Sequence, residues 1–143
     1  MVTLMSHKNP ILLVEDDLVD AMTVNRALRE IQVENDVVHV KNGEEALHHL
    51  LEENNETPCI TLLDLNMPKM NGIEFLRERL KHERLRLVPT IVLTTSKDNY
   101  DKLESYKLGI AGYMVKPIDF KEFVDLMRTL TTYWSKSEYA EPQ

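Results

Sequence analysis

The sequence predicts an α/β fold: a doubly wound, five-stranded parallel sheet in which a strand–helix unit is repeated five times. Five short apolar runs alternate with five segments whose apolar residues recur at helical spacing. The runs are too continuously apolar to leave one face in water, which favours parallel strands covered by helices on both sides. Right-handed crossovers then distribute the helices over the two faces of the sheet.

The individual elements follow from the spacing of apolar residues along the chain. The first strand is predicted over Ile11–Val14, and apolar residues from Ala21 to Ile31 then recur at helical spacing. The second strand, Val37–Val40, precedes a helix with apolar residues from Ala46 to Leu51. The remaining units are Ile60–Leu63 before a helix from Ile73 to Leu80, Ile91–Leu93 before a weaker helix over Asp98–Leu108, and Gly112–Val115 before the clearest amphipathic helix, from Phe120 to Trp134.

Polar residues at the predicted helix ends agree with these boundaries. Asp17, Asn42 and Asp119 each stand three residues before an acidic residue, which suits an N-cap followed by a carboxylate in the first turn. Gly109 lies at the end of the fourth predicted helix, where a residue in the left-handed region commonly ends a helix.

The composition limits the class of protein. The 143 residues suit one domain, predicted over residues 9–134 with tails at residues 1–8 and 135–143. A net charge of −7 argues against a nucleic-acid surface, since phosphate binding needs clustered Lys and Arg. Cys59, the only cysteine, stands in an apolar run and is predicted to be buried. No apolar stretch approaches the roughly 18 residues of a membrane helix, and the N-terminus lacks the apolar core of a signal peptide, so we expect a cytoplasmic protein.

Charged and hydroxyl side chains, which can bind ligands or react, stand at the carboxyl ends of the predicted strands, where a doubly wound sheet binds its ligands. Clustered carboxylates repel one another unless a cation lies among them, and oxygen ligands without cysteine favour Mg²⁺ or Mn²⁺. An aspartate beside such a cation, a lysine and a hydroxyl is a plausible nucleophile for phosphoryl transfer. The strand-end residues are Glu15, Asp16, Asp64, Thr94 and Lys116.

These residues resemble the receiver domain of two-component response regulators, and the resemblance covers about residues 9–134. It implies a flavodoxin-like receiver fold and a response regulator that accepts a phosphoryl group from a sensor histidine kinase in a Mg²⁺-dependent reaction. The segments that carry it, one at each of four strand ends, are Ile11–Asp16, Leu62–Gly72, Pro89–Thr94 and Gly112–Pro117.

The resemblance implies an aspartyl phosphate next to a bound metal ion. Asp64 corresponds to the phosphoacceptor, and Asp16 to the direct Mg²⁺ ligand, with Glu15 as its acidic neighbour. The backbone carbonyl of Asn66 would be the third protein ligand. Asp17 is interpreted as a helix cap, because the family places its acidic pair directly after the first strand.

A second group of residues corresponds to the family's switch. Lys116 would pair with the phosphate, and Thr94 would supply a hydroxyl that moves towards it. Tyr113 occupies the aromatic switch position and is expected to rotate from exposed to buried, reshaping the surface of the fourth helix, fifth strand and fifth helix. In this family the Lys116–Pro117 bond is often cis.

Three other functions are disfavoured by particular residues. A phosphatase of the haloacid dehalogenase type needs a second aspartate where this chain has Asn66, so we expect slow self-dephosphorylation and no turnover enzyme. A flavodoxin-like cofactor binder needs a Gly-rich or Ser/Thr-rich loop after Val14, which this chain lacks. An adaptor that works without phosphorylation would have no use for four charged residues together at the strand ends, Glu15, Asp16, Asp64 and Lys116.

The remaining expectations concern partners. Only nine residues follow Trp134, so we expect no output domain, and signalling through protein contacts without nucleic acid or membrane. The polar loop at residues 54–58, the segment at residues 11–20 and the aromatic chain end resemble the small response regulators paired with bacterial phytochrome kinases. A homodimer through the fourth helix, fifth strand and fifth helix is a further hypothesis.

Overall fold

The computed structural model describes residues 8–140, which contain one five-stranded sheet. All neighbouring strands are parallel, and their order is β2-β1-β3-β4-β5. This arrangement confirms the predicted fold class. The strands are β1 (Ile11–Val14), β2 (Val37–Val40), β3 (Ile60–Leu63), β4 (Thr90–Thr94) and β5 (Gly112–Val115).

The described residues form six helices, one more than the sequence predicts. The additional helix lies before β4 and consists of a single turn of four residues, one of which, Leu85, is buried. Four residues are too few to show a helical period. The predicted fourth and fifth helices are therefore α5 and α6. The helices are α1 (Leu18–Glu30), α2 (Gly43–Leu51), α3 (Gly72–Arg79), α4 (Glu83–Arg86), α5 (Asn99–Lys107) and α6 (Phe120–Ser135).

The sheet separates two hydrophobic cores, because successive strand side chains point to opposite faces. On one face, Ile11 and Leu13 of β1 join the buried sides of α1 and α6. On the other face, Leu12 and Val14 join α2 and α3, where Phe75 is fully buried. Helices on both faces are what the continuously apolar strands predicted.

The helix caps lie where the sequence indicated. The side chain of Asp17 accepts from the amide of Asp20, and Asn42 and Asp119 cap α2 and α6 in the same way. Gly109, after α5, has φ +85°, a conformation that glycine adopts without strain. None of the described helices is long and apolar enough to cross a membrane.

Part of the predicted C-terminal tail packs against the domain. The ring of Tyr139 lies edge-on to the ring of Trp134, with 6.2 Å between centroids, and both border the core beneath α1 and α6. Cys59 in the same core is only 2% exposed, and burial raises the pKa of its thiol to about 12. The expectations for residues 1–7 and 141–143 lie outside the described residues.

Candidate functional site

Four parallel strands end side by side at one edge of the sheet, and each brings a polar residue there. The register pairs Val14 with Leu63, and the amide of Asp64 donates to the carbonyl of Val14 at 3.0 Å. The residues after β1 and β3 are therefore level with each other. The sequence-predicted residues gathered at this edge are Glu15, Asp16, Asp64, Thr94 and Lys116.

Three carboxyl groups form a compact cluster at the ends of β1 and β3. Glu15, Asp16 and Asp64 each offer an oxygen, and these oxygens all lie within 4.8 Å of one another. Glu15 and Asp64 are buried, whereas Asp16 is exposed. Three hard oxygen donors without histidine or cysteine fit a divalent cation of the Mg²⁺ or Mn²⁺ type, whose charge would offset their mutual repulsion.

Burial opposes the charged form of the two inner carboxyl groups. Burial raises the pKa of Glu15 to about 7 despite the opposing hydrogen bond from Lys116, and the nearby charge of Asp64 contributes to the rise. The pKa of Asp64 is also raised by burial, against the charge of Lys116 and a hydrogen bond from the Thr94 hydroxyl. A bound cation would stabilise the charged forms of both carboxyl groups, which burial alone disfavours.

Two neighbouring residues stand at the rim of the cluster. Asp17 is exposed and caps α1, which agrees with its interpretation as a cap. Asn66 is exposed, and its backbone amide contributes a hydrogen bond that stabilises the carboxylate of Asp64. The predicted metal contact of the Asn66 carbonyl stays a prediction.

Lys116 reaches the site from the end of β5 but contacts carboxylates other than Asp64. Its Nζ lies 2.5 Å from Oε1 of Glu15 and 3.4 Å from Oδ2 of Asp20. Burial lowers the pKa of the ammonium, but the hydrogen bond and charge of Glu15, together with the charges of Asp64 and Asp20, outweigh burial and raise it. None of the described peptide bonds is cis, so the cis bond before Pro117 that the resemblance favoured is wrong for this structure.

The sequence did not single out Asp20. It lies on the first turn of α1, four residues after Asp16, and this short separation from the end of β1 keeps it near the strand ends. That short separation was the available signal. His39 was also missed: its Nε2 donates to the backbone carbonyl of Glu15 at 2.6 Å, across the pair of strands β1 and β2.

Ser96 links the site to Tyr113 and to α5. Its amide donates to Oγ1 of Thr94 at 3.4 Å, and its carbonyl accepts from the Tyr113 hydroxyl at 2.9 Å. Its own hydroxyl donates to Oδ2 of Asp101 on α5 at 2.6 Å. Tyr113 is accordingly half-buried here, and not in the exposed orientation from which its rotation is expected to begin.

Comparison with protein families and relatives agrees with this geometry. The model of the family described as "Response regulator receiver domain" matches residues 11–128. The response regulator Rcp1 of Synechocystis is 32% identical over 128 residues, which span 87% of this chain and 87% of Rcp1. The probable methanogenesis regulatory protein FilR2 of Methanothrix harundinacea is 35% identical over 127 residues, 87% of this chain and 82% of FilR2.

Solved structures give the same result. The phosphorylated cyanobacterial phytochrome response regulator RcpA superimposes with a TM-score of 0.87 and 33% identity, covering 94% of this chain and 99% of RcpA. The Mn²⁺-bound form of Rcp1 superimposes with a TM-score of 0.82 and 30% identity, covering 92% of this chain and 98% of Rcp1. The similarity therefore includes the sheet, both helical layers and the strand ends that carry the acidic cluster.

Proposed function

The chain belongs to the response regulator receiver domain family, and we propose that it is a phosphorylation switch in which Asp64 accepts the phosphoryl group. The observation that best supports Asp64 is its environment. Asp64 is 9% exposed and lies among the clustered carboxylates. It is attracted by the charge of Lys116 and accepts a hydrogen bond from the hydroxyl of Thr94. Glu15 already accepts the ammonium of Lys116, and Asp16 lies in solvent.

The proposed reaction is a phosphoryl transfer to a carboxylate oxygen. An oxygen of Asp64 forms a bond to phosphorus while the P–N bond to the donor imidazole of a histidine kinase breaks. The electron pair of that bond stays on the imidazole nitrogen. Negative charge spreads over the phosphoryl oxygens during transfer, and the proposed role of the Lys116 ammonium and the Thr94 hydroxyl is to stabilise that charge.

The cation proposed for the site is Mg²⁺, with Mn²⁺ as the alternative. Glu15, Asp16 and Asp64 would hold it together with the backbone carbonyl of Asn66. The donor set supports a hard divalent cation, and so does the Mn²⁺-bound form of the relative Rcp1. When bound, the cation supplies positive charge next to the phosphoryl oxygens.

Transmission is proposed to run through Thr94 and Ser96. When the Thr94 hydroxyl turns to a phosphoryl group on Asp64, the hydrogen bond from the Ser96 amide to Oγ1 of Thr94 weakens. The hydrogen bond from the Tyr113 hydroxyl to the Ser96 carbonyl and the one from the Ser96 hydroxyl to Asp101 then carry the change to β5 and α5. The surface formed by α5, β5 and α6 is the proposed output.

The proposed phosphoryl donor is a sensor histidine kinase, and the similarity to phytochrome response regulators favours a phytochrome-type kinase. A donor histidine must come within bonding distance of Asp64, so the kinase must contact the rim of the site. Large apolar side chains are exposed there: Leu18 and Val19 begin α1, and Ile118 follows Lys116. Such side chains are typical of a protein contact.

A second copy of the chain is the proposed partner of α5. Tyr100, Leu103 and Tyr106 follow one another at helical spacing and are all more than half exposed. Sedimentation velocity at high protein concentration should detect a dimer that Leu103→Glu weakens. A wild-type protein that stays monomeric with and without beryllium fluoride would contradict this proposal.

The main test uses acetyl phosphate and Mg²⁺, followed by intact-protein mass spectrometry. The wild-type protein should acquire a labile phosphoryl adduct, and Asp64→Asn should acquire none. Asp17→Asn is the matched control, because it removes a nearby charge yet keeps a residue that caps helices well. An Asp64→Asn protein labelled in wild-type yield would overturn the assignment.

A further inference from the structure

We infer that Asp20 is a positioning residue that holds the Lys116 ammonium on the α1 side of the site, in competition with a phosphoryl group on Asp64. This inference rests on the proposed function, in which the Lys116 ammonium stabilises the charge of the phosphoryl group. It adds a carboxylate outside the acidic cluster to the residues that control the site.

The contacts of Lys116 define the starting state. Its ammonium is shared between Glu15 and Asp20, and among the described residues no ion pair within 4.0 Å joins it to Asp64. The side chain of Lys116 is only 10% exposed, so few alternative positions are open to it. These two contacts hold the ammonium on the side of the site away from Asp64, so a move towards a phosphoryl group on Asp64 must lengthen at least one of them.

Asp20 is the partner most readily released. Glu15 is 2% exposed and bonds Lys116 at 2.5 Å, and releasing it would leave a buried carboxylate without its cation. The Asp20 side chain is 46% exposed and contacts Lys116 at 3.4 Å, so water can replace the ammonium at little cost.

Asp20 also differs from Glu15 in its relation to the metal. Glu15 belongs to the carboxylate cluster that fits a divalent cation, and cation binding there would weaken its attraction for Lys116. Asp20 is not part of that cluster, so its attraction for Lys116 persists. In the metal-loaded protein, Asp20 is therefore the direct competitor of the phosphoryl group.

If phosphoryl binding breaks a contact of Lys116, the contact lowers the affinity for the phosphoryl group. The factor of this loss equals the equilibrium constant that favours the contact. A half-exposed ion pair corresponds to a factor of about two to five in an equilibrium constant. Removing the Asp20 carboxylate should therefore tighten phosphoryl binding by about two- to fivefold.

The test measures the affinity for beryllium fluoride, a phosphoryl mimic, by titration at fixed saturating Mg²⁺. Asp20→Asn should bind beryllium fluoride about two- to fivefold more tightly than the wild-type protein. Asp20→Glu, which keeps a carboxylate, should remain closer to the wild type. Unchanged or weaker binding by Asp20→Asn would overturn the inference, and thermal unfolding establishes that both variants are folded.

Two further variants separate positioning from a general effect of charge. Asp17→Asn removes the same charge from the same helix start, but among the described residues the ion pairs of Lys116 are with Glu15 and Asp20. The affinity of Asp17→Asn should therefore stay near the wild type. In a Lys116→Gln background, Asp20→Asn should have no further effect, because the shared partner is gone. An equal gain in Asp17→Asn, or a gain that persists in Lys116→Gln, would contradict the role of Asp20.

The experiment also separates this inference from the proposed function. If the wild-type protein does not bind beryllium fluoride, or if Asp64→Asn binds it equally well, the phosphoacceptor assignment fails and Asp20 has no phosphoryl group to compete with. If wild type binds, Asp64→Asn does not, and Asp20→Asn matches the wild type, the proposed function stands and only the inference about Asp20 fails.

Discussion

Arg79 is a buried cation whose partners are backbone carbonyls. It lies on α3 and is 2% exposed, and its Nη2 donates to the carbonyls of Leu108 and Gly109, each at 3.1 Å. Within residues 8–140, its Nε has no hydrogen-bond partner. Burial lowers the pKa of the guanidinium, and the like charge of Arg86 adds to this effect. The guanidinium ties the end of α5 to α3.

We predict that Arg79→Lys is more destabilising than Arg79→Met. Lysine keeps the cost of a buried charge but cannot reproduce the planar donor group that reaches two carbonyls, whereas methionine avoids the charge. The expected loss for Arg79→Lys is about 1–3 kcal/mol in the free energy of unfolding, measured by urea denaturation. A lysine variant as stable as the methionine variant would contradict the cost assigned to the buried charge.

At the scale of elements, α5 is the one helix within residues 8–140 that has no buried apolar side chain. Its only buried residue is Ser105, although three large apolar side chains lie on its exposed face. Polar contacts at its two ends hold it: Asp98 caps the start, Asp101 accepts from Ser96, and Arg79 binds the end. A helix attached in this way can shift at low cost, which suits an output element.

We predict that Asp101→Ala loosens α5 while leaving the rest of the protein unchanged. The loss of one hydrogen bond, worth about 1 kcal/mol, should speed local amide exchange in α5 about fivefold, and exchange in α1 should not change. Asp125→Ala is the matched control, since Asp125 lies exposed on α6 and pairs with Arg128. Equal protection of α5 in the wild type and Asp101→Ala would contradict the anchoring role of Asp101.

At the scale of the whole molecule, the acidic site lowers stability when no cation is bound. The pKa of Glu15 is raised from 4.5 to about 7 by burial. Between these two pH values the folded protein binds more protons at this site than the unfolded chain. The contribution of Glu15 to stability is therefore complete below pH 4.5 and is lost as the pH rises towards 7.

We predict that Glu15→Gln gains stability relative to the wild type as the pH rises from 4.5 to 7, and that the difference levels off above pH 7. The gain is at most about 3 kcal/mol, and the lost ion pair with Lys116 reduces it. Thermal unfolding in EDTA measures it, and Mg²⁺ should stabilise the wild type more at pH 7.5 than at pH 5.5. A difference that shrinks with rising pH would contradict the burial effect.

Local sequence patterns were sufficient to predict the fold class and the five residues at the strand ends. Apolar runs and helical spacing extend over a few neighbours, and a residue directly after a parallel strand must lie at the ligand-binding edge. The caps at Asp17 and Asn42 were predictable for the same reason, because each bonds an amide three residues away. Helix α4 was missed because four residues are too few for a period.

Only the tertiary structure decided which side chains touch within the site. Lys116 contacts Glu15 and Asp20, which are separated from it by 101 and 96 residues, so no local pattern could distinguish these partners from Asp64. The burial that raises the pKa of Glu15 comes from surrounding elements, and so does the burial of Arg79. The sequence by itself determined the residues at the edge of the sheet, because that placement follows from neighbours along the chain. Packing of distant elements determined their contacts and charges.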